Sequence, residues 1–252
     1  MSFRNRLSLF FVLIVLVPMV SVAVVLFRLI ADNETGKADE ALAARTEVVV
    51  KLYAQATADA ERELEAVGTD AQLGAALRAG DREEARERAR ELAAGEPIAR
   101  IVLVDDGEVI LDVGTKNAVA PATSPLQGGG GTSFGRLQVS VTRAAGFARR
   151  VGRLVGTDLV VRTDDRLLAS SLEGVGDAPL PELDTIEGPE GRTFRVAPPF
   201  DAPGFGGERV FFSVLADRGA VAGEVTRSRL LAAGILLVFF VLAFVFALAV
   251  SR

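Results

Sequence analysis

Hydrophobic positions along the chain fall into two regimes. Near the ends, Leu7–Phe27 and Leu230–Val250 are uncharged and mainly apolar. Each is about 21 residues long and, at about 1.5 Å rise per residue, reaches about 30 Å, the thickness of a bilayer's hydrocarbon core. Between them the spacing is that of folded elements. From Asp32 to Val67, Leu42, Val49, Tyr53, Ala56, Ala60, Leu64 and Val67 recur at helical intervals, which predicts a long helix continuing out of the first span. After a break at Gly68-Thr69-Asp70 a second helix is expected. Asp81 and Glu84 have the spacing of a capping box, Ala85, Ala89 and Leu92 mark the inner face, and Gly95-Glu96-Pro97 stops the helix.

Beyond Pro97 the period becomes that of strands. "ARIVLVDDGEVILDVG" is two short apolar runs around Asp106-Gly107, a strong hairpin signal. "TKNAVAPATSPLQGGGGT" then reads as a Pro- and Gly-rich linker of about 18 residues, a length at which loops are usually functional. In "FGRLQVSV", Leu137, Val139 and Val141 alternate with Arg136, Gln138 and Ser140, the pattern of a half-buried strand. "RAAGFARRVGRLVG" is helical, with Phe147, Val151 and Leu154 on one side; "DLVVRTDDRLLASSL" is a second hairpin turning at Asp164-Asp165. "RTFRVAPPF" and "ERVFFSVLA" are two further strands around the turn Asp201–Gly207, and from Ala220 a helix runs into the second span. The order predicts an α+β domain, its long helices gathered on one face of an antiparallel sheet and bracketed by two transmembrane helices.

Charge sets the orientation. Arg4 and Arg6 before the first span and Arg252 after the second place both ends inside, while Arg28, Arg227 and Arg229 pull weakly the other way. A cleaved secretory signal is the competing reading of the first stretch. Its apolar core exceeds the roughly 7–15 residues of a signal h-region and no small-x-small site follows at Phe27-Arg28-Leu29, so an uncleaved anchor, bent at Pro18, is expected. The boundaries follow as 1–31 for the cytoplasmic tip and first span, 32–219 for the extracytoplasmic domain, and 220–252 for the juxtamembrane helix and second span. All 33 acidic residues lie between Asp32 and Arg229 with all but four of the 28 basic ones, a net charge of about −9 that disfavours a nucleic-acid partner. Without cysteine, the exported domain must be held by its own core.

Candidate chemistry is sparse. With no histidine, serine- and cysteine-hydrolase triads, histidine-based zinc sites and phospho-accepting histidines are excluded. Gly128–Gly131 lacks the G-K-[ST] of a phosphate loop and reads as a turn. The doublets Asp105-Asp106 and Asp164-Asp165 fall where hairpins turn and lack the spacing of a calcium loop. No catalytic residues, metal or cofactor are therefore expected. The row Arg136, Gln138 and Ser140 is the candidate ligand-binding set: its sheet face either meets solvent or floors a pocket, with Arg136 suited to a carboxylate or phosphate and the loop Thr115–Gly131 as lid.

"ILDVGTKNAVAPA", "GRLQVSVTRA" and "VGTDLVVRTDDRLLASSL", between Ile110 and Leu172, together with the two bracketing spans, resemble the Cache sensor regions of bacterial signal transducers. That resemblance implies a PAS-like sheet, a small-molecule ligand, an inner-membrane location, a homodimer and a cytoplasmic output module. The module would be a HAMP linker followed by a diguanylate cyclase, histidine kinase or chemoreceptor stalk, for which "LAVSR" looks like the starting point. The amine- and amino-acid-binding members use Trp and Tyr, whereas this chain has no Trp and one Tyr, Tyr53, so no binding residue carries over. The stripe Leu42–Val67 fits either a dimer seam or the domain's own sheet, the latter being favoured. The competing function is a two-span protein whose exported domain binds a protein or cell-envelope partner.

Overall fold

The computed structural model describes residues 3–95, 97–128, 133–176, 180–182 and 184–217, with isolated helical positions at 219, 234, 237, 238 and 241. Apart from those positions, the second span and its juxtamembrane helix lie outside the described residues. Leu7–Phe27 is helical in its backbone as part of α1 (Phe3–Gly68), but most of its side chains are likewise outside the description. Among the described residues no helix is long and apolar enough to cross a membrane.

Leu42–Asp217 forms one compact unit, α+β, with the long helix packed on antiparallel sheets. All seven residues of the helical stripe are buried, from Leu42 at 2% exposure to Val67 at 1%. The expectation of one sheet is corrected: among the described residues there are two larger sheets and one of only two strands. The first has the order β2-β1-β5-β4, from β1 (Arg100–Asp105), β2 (Glu108–Gly114), β4 (Ala122–Gln127) and β5 (Ser133–Ser140). The second has the order β8-β7-β12-β10-β9 with β11 beside β12, from β7 (Asp158–Arg162), β8 (Leu167–Ser170), β9 (Thr185–Glu187), β10 (Thr193–Val196), β11 (Phe200–Pro203) and β12 (Arg209–Asp217). Length explains the division. The stripe covers about 38 Å of helix, whereas four strands at about 4.8 Å spacing are only about 20 Å wide. The stripe accordingly divides: Ala60, Leu64 and Val67 meet Ile101, Leu103 and Leu137 of the first sheet. Leu42, Val49, Tyr53 and Ala56 meet the second sheet and α4 (Ala144–Val155), whose Phe147 and Val151 point inward.

Two further differences have local causes. The single helix expected after α1 is two, α2 (Ala71–Ala79) and α3 (Arg82–Gly95). Gly80 adopts a left-handed φ of 71°, its N–H and that of Asp81 cap the end of α2, and the Asp81 carboxylate accepts from the N–H groups of Glu83 (3.1 Å) and Glu84 (3.0 Å) to open α3. The Thr115–Thr132 linker is strand in part of its described length: β3 (Ala118–Val119) pairs with β6 (Thr142–Arg143), and β4 forms the edge of the first sheet. Pro125 lies within β4, where proline is compatible with an edge strand that has no partner on its outer side, and Pro121 lies between β3 and β4. The Asp106-Gly107 turn is as expected, both residues having positive φ, 45° and 85°.

Asp70 ties α2 to α3. Its carboxylate accepts from the N–H of Leu73 at 2.7 Å and from both Nε and Nη2 of Arg88, at 3.1 and 2.7 Å. The Arg88 hydrogen bonds outweigh the opposing effect of burial and hold the Asp70 carboxyl below the usual range. A depressed folded-state pKa gives stability that is present above the unfolded value and lost as pH falls through the folded one. Asp70→Ala is expected to lower stability by about 1–2 kcal/mol at neutral pH. Melting temperatures recorded from pH 7 down to pH 3 should converge for the two proteins; a constant offset would show that the charge does not contribute.

Candidate functional site

The first sheet presents one face to α1, α2 and α3, and the other to a hairpin tip of the second sheet. β11 and β12 pair with Pro203 opposite Arg209, and between them Phe205–Gly207 make a single 3-10 turn. The turn needs its glycines: Gly206 and Gly207 have φ of 66° and 89°, and a Cβ on Gly204 would come within 2.9 Å of the Val210 side chain. Glu208 donates its N–H to the Phe205 carbonyl and accepts from the N–H of Gly204, at 3.1 and 2.8 Å, closing the tip.

A cleft of about 380 Å³ opens between this tip and the sheet. Val104, Thr123, Arg136 and Gln138 form the wall from the first sheet, and Asp201–Gly204 with Gly206–Arg209 form the wall from the second. Arg136 is exposed and, among the described residues, its guanidinium has no ion-pair partner. Across the cleft Arg209 pairs with Asp201, so that cation is already compensated. Gln138 is nearly buried and spans both walls: its Nε2 donates to Thr123 Oγ1 at 3.4 Å, while its Oε1 accepts from the N–H of Gly206 at 2.7 Å.

The sequence row Arg136, Gln138 and Ser140 is thus brought only partly together. Arg136 and Gln138 line the cleft; Ser140 does not, being fully buried, with its Oγ donating to the Val119 carbonyl and accepting from the N–H of Thr142 at 3.0 Å. That hydroxyl steadies the β3–β6 pair. Nor is the covering segment the loop Thr115–Gly131; the Gly204–Gly207 tip covers this face instead, because β4 is held in the sheet by its ladder to β5.

Sequence reading missed the second wall entirely. The signal available was "DAPGFGGER", in which an aromatic residue sits among turn glycines where a solvent-exposed loop would carry a polar one. It also missed the ion pair beneath the tip. Arg100 Nε and Nη2 donate to the two oxygens of Asp112 at 2.9 and 3.0 Å, and Lys116 joins the same carboxylate. Burial alone would raise the Asp112 carboxyl, but the hydrogen bonds and charges of Arg100 and Lys116 prevail and hold it below the usual range.

Neither the family models nor the curated proteins include a match to this chain. Among solved structures, the periplasmic domain of LuxQ from Vibrio cholerae aligns over 73% of this chain and 99% of its own, with 12% identity and a TM-score of 0.40, a likeness too distant to assign fold or function.

Proposed function

We propose that this chain is the ligand-sensing input region of a bacterial membrane signal transducer, with residues 32–219 outside the cytoplasm between two inner-membrane spans. It acts as a homodimer, and the ligand is a small anion held in the cleft by Arg136, with Gln138 reporting the position of the tip. The observation that carries the reading is the cleft itself: its walls belong to two different sheets, and one offers a guanidinium with no ion partner among the described residues. A carboxylate or phosphate supplies the paired acceptor oxygens that an arginine fork matches. A ligand touching both walls has differential affinity for open and closed arrangements of the sheets, which is the physical requirement for a signal. The change passes through β12 and the second span to a cytoplasmic output module of the diguanylate cyclase, histidine kinase or chemoreceptor type. The α1 stripe is committed to the chain's own cores, so the dimer uses another surface.

The test is a thermal-shift screen of the full chain in detergent against small carboxylates and inorganic phosphate. At least one anion should raise the melting temperature, since a ligand at about 100 times its Kd adds about 2.7 kcal/mol. Arg136→Ala should abolish that shift while leaving the unliganded melting temperature unchanged, because the side chain is exposed and has no ion partner among the described residues. No shift with any anion, or an equal shift in the variant, would sink the proposal.

A further inference from the structure

Phe205 is the feature of the cleft that ligand sensing alone leaves unexplained. Its ring is 4% exposed at the end of a turn made otherwise of glycine, in an apolar seat formed by Ala99, Val102, Val104 and Ala118 of the other sheet's region. The guanidinium of Arg100 lies over the ring, 4.6 Å from its centroid. Asp112 fixes that guanidinium through two hydrogen bonds, so the cation is in place whether or not a ring sits beneath it. Apolar walls under a pre-positioned cation are the chemistry of an aromatic-ring site.

The seat and the cleft are continuous. Val104 lines both, and Gly204 and Gly206, the neighbours of Phe205, line the cleft. The tip is also separable from its base. Tyr53 Oη donates to the Pro203 carbonyl at 3.0 Å and anchors the hairpin just before the turn, whereas beyond it the tip's hydrogen bond to the first sheet is Gly206 N–H to Gln138. The anchored base and glycine-rich end allow the ring to leave without unpairing β11 from β12.

We propose that Phe205 is a tethered occupant of a ring-binding subsite opening off the cleft, and that an aromatic anion binds by taking the place of its ring. The ligand's ring enters beneath Arg100 while its carboxylate or phosphate meets Arg136. This inference rests on the sensor reading and names the ligand class it takes. It also supplies the differential contact, because expulsion of Phe205 releases the tip of a hairpin whose second strand, β12, runs to Asp217.

Binding of phenylacetate and of acetate, which has the same carboxylate without the ring, tests this on the full chain by calorimetry. Phenylacetate should bind the wild type about tenfold more tightly than acetate, and Phe205→Ala should tighten phenylacetate by about tenfold again without changing acetate. Phe205→Leu, an apolar occupant without the ring's contact to Arg100, should give a phenylacetate affinity between those of the wild type and Phe205→Ala. Amide exchange at Gly204–Glu208 in the wild type, expected to rise on adding phenylacetate, gives a readout that needs no variant to fold. Equal affinity for the two acids, or unchanged or slowed exchange at the tip, overturns the ring subsite and leaves the cleft reading standing. Binding of phosphate but of neither acid has the same meaning. Failure of all three anions to bind the wild type or either variant overturns both.

Discussion

Tyr53→Ala is expected to destabilise the Leu42–Asp217 unit by about 4 kcal/mol, read as a fall in melting temperature of about 10 °C. The ring is 7% exposed and sits edge-on to Phe147 and Phe212, with centroids 5.8 and 4.8 Å away. Truncation removes both aromatic contacts and leaves a cavity where α1, α4 and the second sheet meet. It also orphans two backbone groups, because Tyr53 Oη accepts from the N–H of Ala120 at 3.0 Å while donating to Pro203. Ala120 holds a left-handed φ of 57°, so the hydroxyl secures a strained residue as well as the hairpin base. Tyr53→Phe keeps the ring and should cost about 1–2 kcal/mol.

Alkaline titration isolates the hydroxyl. Burial, opposed in part by the hydrogen bond from Ala120, pushes the phenol up from 10.0 to about 12. A raised folded-state pKa means that the contribution is complete below the unfolded value and is lost as pH rises from about 10 to about 12. Tyr53 is the sole tyrosine and there is no tryptophan, so the ultraviolet signal of phenolate formation belongs to this residue alone. The folded protein should show its midpoint near 12 and the urea-unfolded chain near 10; coincident midpoints would mean that the hydroxyl is solvated in the native state.

Gly114→Ala and Gly135→Ala are each expected to cost more than about 4 kcal/mol, enough to prevent assembly of the first sheet. Gly114 is opposite Arg100 and Gly135 lies against Asp105, the two ends of β1, the strand that pairs with β2 on one side and β5 on the other. Their φ values are 110° and 103°, and an added Cβ would lie 2.3 Å from the carbonyl oxygen of Ala99 or of Val104. Those oxygens belong to backbone held by strand pairing and cannot move aside. Gly74→Ala is the contrast: it lies in α2, where the new Cβ meets only the far end of Arg78, at 3.6 Å. Replacing a helical glycine there should stabilise by about 0.5–1 kcal/mol. Urea unfolding followed by circular dichroism ranks the three, and comparable stability of Gly114→Ala and the wild type would refute the steric account.

The legible parts share a cause. The α1 stripe, the capping residue Asp81, the Asp106-Gly107 turn and the alternation of Leu137 and Val139 with Gln138 are interactions between neighbours in the chain, or between a residue and one face. Periodicity and turn chemistry record such interactions directly. Arg136 and Gln138 were legible as polar residues on a strand for the same reason.

What escaped was every relation across distance. Whether β5 joins β1 or β7 depends on which apolar faces can be buried together, and the twelve short strands among the described residues leave that choice open until α1 fixes the span to be covered. Ser140 alternates in phase with Gln138 yet serves β3 and β6, because the face it shares is covered locally by a pair no periodicity announces. The second wall comes from residues about 65 to 100 positions further along the chain, and only the pairing of β11 with β12 projects Phe205 onto the first sheet. The sequence by itself determined the buried stripe of α1, the cap at Asp81, the Asp106-Gly107 turn and the alternation along β5, since these are set within a few residues. The tertiary structure alone decided that the strands divide between two larger sheets and a β3–β6 pair, that a cleft lies between the larger two, and that its apolar end is already filled, because those depend on contacts whose partners the chain brings together only when folded.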